Sequence, residues 1–322
     1  MRQGSYLAKR TIAALVTVLF AATLNFVLFR AAPGDAADTL GRCRNCPPEF
    51  REVLRTQLGL DKSLIEQYWI YLTGLVQGDL GRSFVTQRPV LDELLTPLLN
   101  TLPLVALGSF FAISLGVLVG VIAAWRRGTF VEGLAVSSGL FFYALPMQWL
   151  GLMLIIAFAG ILPTSGISDP YLALTDPSTI SVVLDRLEHM ILPALTLAIV
   201  GYGEYALITR SSLVETLGDD YILTARAKGY SPSAIVWRHA LRNAILPVIT
   251  LAALAVGFLI AGEVLVEAVF SYPGLGLEMY RAVFARDYPV LQGAFLMLTI
   301  AVVLANYIAD LLYLRLDPRV AS

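Results

Sequence analysis

The sequence predicts an all-α integral membrane protein with six transmembrane helices. Three observations carry this reading. Of the 322 residues, 57% are hydrophobic and only 15% charged, with mean hydropathy +0.72. A soluble domain averages about 45–50% apolar and about 25% charged, so too few charges remain here to cover a surface facing water. Apolar runs of about 20 residues, the length that crosses a bilayer core of about 30 Å, recur along the chain. Lysine and arginine are divided unevenly between the connecting loops. Inside hydrocarbon each backbone amide must be satisfied within its own segment, which makes such runs helical.

The runs follow in order. Thr11–Phe29 carries no charge. Lys9 and Arg10 precede it as in a signal peptide, but its 19 residues exceed the usual h-region of about 7–15. Arg30-Ala31-Ala32-Pro33 is also a poor cleavage site, so the run is read as a retained span. Leu94–Trp125, Gly133–Ser168, Asn243–Gly262 and Tyr288–Ala309 carry no charge, and Met190–Thr209 carries only Glu204. The spans are therefore placed at 10–29, 99–125, 133–161, 189–210, 246–268 and 289–312. The third run is too long for one straight crossing, so a kink is expected at Pro146, with a re-entrant or interfacial tail.

With the N-terminus inside, the inner side holds Arg2, Lys9, Arg10, Arg126, Arg127, Arg210, Arg226, Lys228, Arg238, Arg242, Arg315 and Arg319. The short outer loops hold only Arg186, Arg281 and Arg286. Cationic loops stay in the cytoplasm, and long loops translocate regardless of charge. Both termini are thus expected in the cytoplasm of a multi-pass protein. The chain divides into residues 1–30 (N-terminus and first span), 31–98 (extracytoplasmic loop or cap), 99–315 (five-helix core with a cytoplasmic loop at 211–245) and 316–322 (cytoplasmic tail). A net charge of −1 leaves no basic face for nucleic acid. Two cysteines cannot staple a disulfide scaffold. His189 and His239 fall at opposite membrane faces, so they form no joint site, and no metal site is expected.

Two loops are larger than packing needs. The outer loop contains amphipathic stretches at Pro48–Leu58 and Leu64–Val76, the second rich in Tyr68, Trp69 and Tyr71. Aromatic residues of this kind settle at headgroup level. They read as a cap of short helices on the bundle, or as a membrane-lying spacer without a partner. In the cytoplasmic loop, Asp219-Asp220 makes an N-cap and first-turn acid pair. Arg226 and Lys228 then occupy the last turn, and Gly229 the position past the end. This specifies a short helix, Tyr221–Gly229, outside the membrane. Small residues (Thr224, Ala225, Ala227) alternate with Tyr221, Arg226 and Lys228. Such a face admits a close partner, or merely connects two spans and obeys the positive-inside rule. Ser231-Pro232 opens a second, basic helix in which His239 caps or packs.

At this loop, DYILTARAKGYSPSAIVWRHALRNAILPVIT, Asp220–Thr250, resembles the cytoplasmic signature of the permease subunits of binding-protein-dependent ABC importers, in the peptide and nickel branch. Similar stretches extend in order along the chain. They are Pro33-Gly34-Asp35, LGLDKSLIEQYWIYLTGLVQGDLGRSF (Leu58–Phe84), LPMQWLGLMLI (Leu145–Ile155) and ILPALTLA (Ile191–Ala198). GEVLVEAVFSYPGLG (Gly262–Gly276), RDYPVLQG (Arg286–Gly293) and DPRV (Asp317–Val320) complete the set. Where the general motif has Glu-Ala-Ala, this chain has Leu223, Thr224 and Ala225. The spacing from Gly229 to Leu246-Pro247 is longer than in sugar importers. Both departures point to the peptide and nickel branch.

The resemblance implies a type I ABC importer permease fold in a bacterial plasma (inner) membrane. It implies a second homologous permease, two cytoplasmic ATPases that bind ATP and Mg, and an extracytoplasmic binding protein. Under it, Asp220, Tyr221, Thr224, Ala225, Arg226, Ala227, Lys228 and Gly229 form the coupling helix. Tyr221 anchors it, Ala225 and Ala227 permit close contact, and Arg226 and Lys228 pair with the ATPase or with lipid phosphates. The chain's lysines, Lys9, Lys62 and Lys228, lie in no GxxxxGK[ST] phosphate loop. No catalytic residue and no cofactor is therefore assigned to this chain.

Ionisable residues inside a bilayer are costly and point to function. Glu204, the pair Glu263 and Glu267, and Asn306 are candidates for the substrate path. Glu263 and Glu267 line its outer mouth or hold the YPGLG loop. Asp310 ion-pairs with Arg315 or Arg210. Cys43 and Cys46, on the oxidising side, form a candidate local disulfide. The rival readings are a secondary transporter, which leaves the cytoplasmic helix unexplained, and a membrane enzyme, for which no GxSxG or HExxH motif is present. Di- or oligopeptide is the expected cargo, with nickel, haem and glutathione as alternatives.

Overall fold

The computed structural model describes residues 2–31, 61–175, 178–252 and 264–316. Its elements are α1 (Arg2–Ala31), α2 (Leu64–Val76), α3 (Val90–Trp125), α4 (Phe130–Ala144) and α5 (Met147–Phe158). They continue with α6 (Thr179–Thr216), α7 (Asp220–Ala227), α8 (Val264–Val269), α9 (Leu275–Ala285) and α10 (Tyr288–Leu316). A helical segment at 232–244 follows α7 and runs on through 246–252. No strand occurs among the described residues.

Among the described residues, four helices, α1, α3, α6 and α10, are long and apolar enough to cross a membrane. The third expected span is broken: α4 and α5 meet at 102°. The break lies at Leu145-Pro146, where Leu145 is extended at φ −73°, ψ 134°. Proline excludes the helical conformation from the residue before it, so the expected kink follows from covalent geometry. The fifth expected span is described only over 246–252 and from Val264 onward. The stretches 32–60 and 253–263, with Cys43, Cys46, Glu263 and the helix expected at Pro48–Leu58, lie outside the described residues.

Two helices begin earlier than their apolar runs. The run assigned to 99–125 starts at Val90, with Asp92 and Glu93 in its first turn. The run assigned to 189–210 starts at Thr179, where the Ser178 side chain accepts from Ser181 N–H. A charge-free criterion finds the hydrocarbon-embedded part of a helix. Capping residues and first-turn acids carry it further into water.

The chain forms two compact units, one of residues 1–100 with 274–322 and one of residues 101–273. In the first, α1 packs along α10, and Asn25 Nδ2 donates to the Gln292 carbonyl at 2.8 Å. The helix α2 has the bounds read from sequence. A capping box closes its start: Ser63 Oγ accepts from Glu66 N–H while Glu66 accepts from Ser63 N–H. Ser63 N–H, and the Ser63 hydroxyl as a second donor, hold the Glu66 carboxyl below the usual carboxylate range. The aromatic residues of α2 turn toward α1. Tyr68 and Thr23 share a hydrogen bond of 2.7 Å, and Phe26 lies 5.3 Å from the Tyr68 ring and 5.5 Å from the Tyr71 ring.

In the second unit the helices approach through glycine. A Cβ on Gly203 of α6 would lie 2.4 Å from the Gly139 carbonyl oxygen of α4. One on Gly120 of α3 would lie 2.6 Å from the Ala206 carbonyl oxygen of α6. Small residues drive this packing in lipid, where burial of apolar area gives no advantage. The obstacle is backbone and cannot give way. Gly203→Leu should therefore destabilise the unit by about 1–3 kcal/mol, read as a lowered Tm in detergent, whereas Gly133→Leu, at a position in open space, should not.

Candidate functional site: the short helix α7 and the polar residues of the spans

The helix α7 has both ends fixed locally. Asp219 takes the extended N-cap conformation, although its side chain makes no capping bond. At the other end Lys228 is the C-cap, and Gly229 adopts φ +79°. Gly229 N–H donates to the Arg226 carbonyl, and Tyr230 N–H to the Ala225 carbonyl. That pair of bonds defines a Schellman stop, which needs the left-handed conformation glycine takes without strain. The turn from α6 is equally short, with Leu217, Gly218 and Asp219 N–H groups donating back to Leu213, Glu215 and Thr216.

One face of α7 is the chain's own. Ile222 (0% exposed) and Ala225 (5%) pack with Val121 and Ala124 of α3, Leu213 of α6, and Ile235, Val236, Ala240 and Ala244 of the following segment. This corrects the reading of Ala225 as a close-contact residue for a partner, because its small side chain fits the internal packing. Asp220, Tyr221, Leu223, Thr224, Arg226, Ala227 and Lys228 are exposed. Tyr221 is held in place, its hydroxyl accepting from Asn243 Nδ2 at 2.9 Å.

The following segment starts as expected, with Ser231 Oγ accepting from Ala234 N–H and Pro232 in the first turn. It widens to a π-helix over Ile235–Ala240. Its His239 ring packs 4.9 Å from that of Tyr230.

The candidate path residues fall in different surroundings. Glu204 is exposed on α6 and Asn306 is half-buried on α10. Glu267 is 0% exposed; it accepts from Thr101 Oγ1 at 2.6 Å, and its backbone carbonyl accepts from Tyr272 N–H at 2.9 Å. Glu267 thus lies inside the packing at the start of the YPGLG loop. Of the two alternatives, this favours holding the loop over lining the outer mouth of the path. Arg210 pairs with Glu132, through Nε at 2.7 Å and through a terminal guanidinium nitrogen, while the Asp310 side chain lies outside the described residues. Glu132 also accepts from Gly128 N–H. His189 is buried, its Nδ1 2.9 Å from the Asp185 carbonyl oxygen.

Sequence and fold comparisons agree with this arrangement. The family model described as the binding-protein-dependent transport system inner membrane component matches residues 116–322, and the model for its N-terminal part matches residues 4–105. The chain belongs to this family. Among curated relatives, this inner membrane component is 39% identical to the di/tripeptide transport system permease protein DppB of Pseudomonas aeruginosa, over 98% of each chain. It is 38% identical to the dipeptide transport system permease protein DppB of Escherichia coli K12, over 92% of this chain and 93% of that one. It is 36% identical to the glutathione transport system permease protein GsiC of the same strain, over 98% of each. A chain of the MetNI methionine ABC transporter, solved in inward-facing conformations, aligns with TM-score 0.53 at 20% identity. The alignment covers 70% of this chain and 96% of that one, and shows the permease fold that the sequence resemblance implied.

Within this inner membrane component, α7 is one packed body with the C-terminal ends of α3 and α6. Sequence reasoning found its ends and exposed cations. It missed Ile222, Asn243 and the Glu132–Arg210 pair, whose partners lie too far apart in the chain to leave a local signal. Ala225→Glu would bury an unpaired carboxylate among apolar side chains. It should cost about 4 kcal/mol, read as loss of folded protein in detergent, while Ala227→Glu on the exposed side leaves stability unchanged.

In the loop after α8, burial pushes the Tyr272 phenol up to about 12, the Glu267 carboxylate adding to the rise and Arg186 opposing it. A raised folded value means stability is complete below the ordinary value near 10 and is lost as pH rises toward 12. Difference spectra at alkaline pH should show one fewer late-ionising tyrosine in Tyr272→Phe than in the unaltered protein.

Proposed function

We propose that this chain is the membrane-spanning permease subunit of an ATP-driven ABC importer, forming half of the translocation path for di- or oligopeptides delivered by an extracytoplasmic binding protein. The observation that carries the reading is α7, a helix with both ends specified, one face packed on its own spans and the other offering Tyr221, Leu223, Arg226 and Lys228. A connector needs neither the Schellman stop nor an anchored exposed tyrosine. The di/tripeptide and dipeptide permeases among the relatives support the cargo. Glutathione, itself peptide-like, is a second reading favoured by the GsiC relatives.

In this reading both termini and α7 lie in the cytoplasm. A second homologous permease completes the path, and two ATPases bind ATP and Mg. The outer face of α7 seats in one ATPase. As the ATPases close on ATP, α7 moves together with the inner ends of α3 and α6, because Ile222 and Ala225 are packed against them. The displacement is a rigid-body step that tips the path outward and returns after hydrolysis. Glu204 faces the path or the second permease, since an exposed carboxylate on a span facing hydrocarbon alone is too costly.

Co-expression with its partners should yield a complex with two ATPases and ATP-dependent dipeptide uptake in proteoliposomes. Leu223→Glu should lower uptake at least about tenfold, the equivalent of 1.4 kcal/mol of coupling, while insertion and Tm of this subunit stay unchanged. Uptake that persists without ATP and collapses with the proton gradient would overturn the proposal in favour of a secondary transporter. Glu204→Gln should reduce uptake without reducing assembly.

A further inference from the structure

The stretch QGDLGRSF, Gln77–Phe84, and the stretch RDYPVLQG, Arg286–Gly293, are distant in sequence and have no role in the coupling scheme. The structure brings them together. Asp287 is 3% exposed and sits at the N-terminus of α10. Its carboxylate accepts from Ser83 Oγ at 2.5 Å, from Phe84 N–H at 3.1 Å and from Val85 N–H at 3.2 Å. The rest of the 79–89 loop is tied with equal thoroughness. Asp79 accepts from Gly81 N–H, Ser83 Oγ accepts from Thr86 N–H, and the Arg82 guanidinium donates to the Gln87 carbonyl. The Gln87 side chain donates to the Phe84 carbonyl, and Thr86 Oγ1 donates to Glu93. Gln87 itself is held at φ +60°, which a non-glycine residue adopts only under constraint.

A tie between α3 and α10 requires Ser83 and Asp287. It does not require a stiffened tip that carries Val85 at 61% exposure between two exposed arginines, Arg82 and Arg88. Stiffening before contact lowers the ordering cost of binding, and a central apolar residue with flanking arginine is the composition of an interface anchor.

We infer that the 79–89 loop is a preformed docking element for the extracytoplasmic binding protein, whose contact patch is apolar at its centre and acidic at its rim. The inference rests on the proposed function for the identity of that partner and for the outward placement of the loop.

The test uses the complete transporter in proteoliposomes with its own binding protein saturated with dialanine. Val85→Glu combined with Arg88→Glu changes only exposed side chains. It should leave basal ATP hydrolysis within about twofold of the unaltered complex. The concentration of binding protein giving half-maximal stimulation should rise at least about tenfold, with a weaker dependence on salt. An unchanged half-maximal concentration would overturn the inference, because a loop serving only to tie the helices does not respond to charge at its tip. An unaltered complex with no ATP hydrolysis would overturn the functional reading itself, and the partner with it.

Discussion

A carboxylate withdrawn from water persists only where donors surround it, and two of them hold the non-helical parts of this protein in place. In the unit of residues 101–273, Glu267 takes a proton donor from Thr101, and its carbonyl takes Tyr272 N–H, so the loop after α8 is bound to its base. In the unit of residues 1–100 and 274–322, Asp287 takes three donors from Ser83, Phe84 and Val85. Each position stands at the end of a span, where the helical pattern stops satisfying the backbone and a side chain must take over. The helices between them need no such devices, because their amides are paired internally and their close contacts are made by glycine.

The same economy shapes the short helix that follows α6. The helix α7 is only eight residues long, too short to be stable alone in water. Its order comes from Ile222 and Ala225 in the apolar cluster with α3 and α6, from the Schellman bonds at Gly229, and from the Tyr221–Asn243 hydrogen bond. Those contacts also join its buried face directly to α3 and α6, so the short helix and the ends of both long ones form one packed body.

The fold was legible in the sequence wherever one signal was local and sufficient. Charge-free runs located the four long helices, Pro146 located the break, and Gly229 ended α7. The extensions of α3 and α6 into water were not legible from hydropathy, because those turns are polar and depend on caps. The face assignment of Ala225 and Glu267 needed the tertiary structure. A small residue beside cations reads equally well as an internal or an external contact, and a glutamate near a span end reads equally well as lining or as a tie. Pairings such as Glu132 with Arg210 and Ser83 with Asp287 join residues that only folding brings together.

The right-angled meeting of α4 and α5 has a consequence for the second of them. With 12 residues, α5 rises about 18 Å, well short of a hydrocarbon layer of about 30 Å, so it does not cross one by itself. Its Gly151 lies close against Val269 and Phe270, where an added methyl would stand 3.1 Å from the valine. That contact ties the half-length helix to the segment bearing Glu267, so the two answer to a single packing arrangement and cannot be repositioned separately.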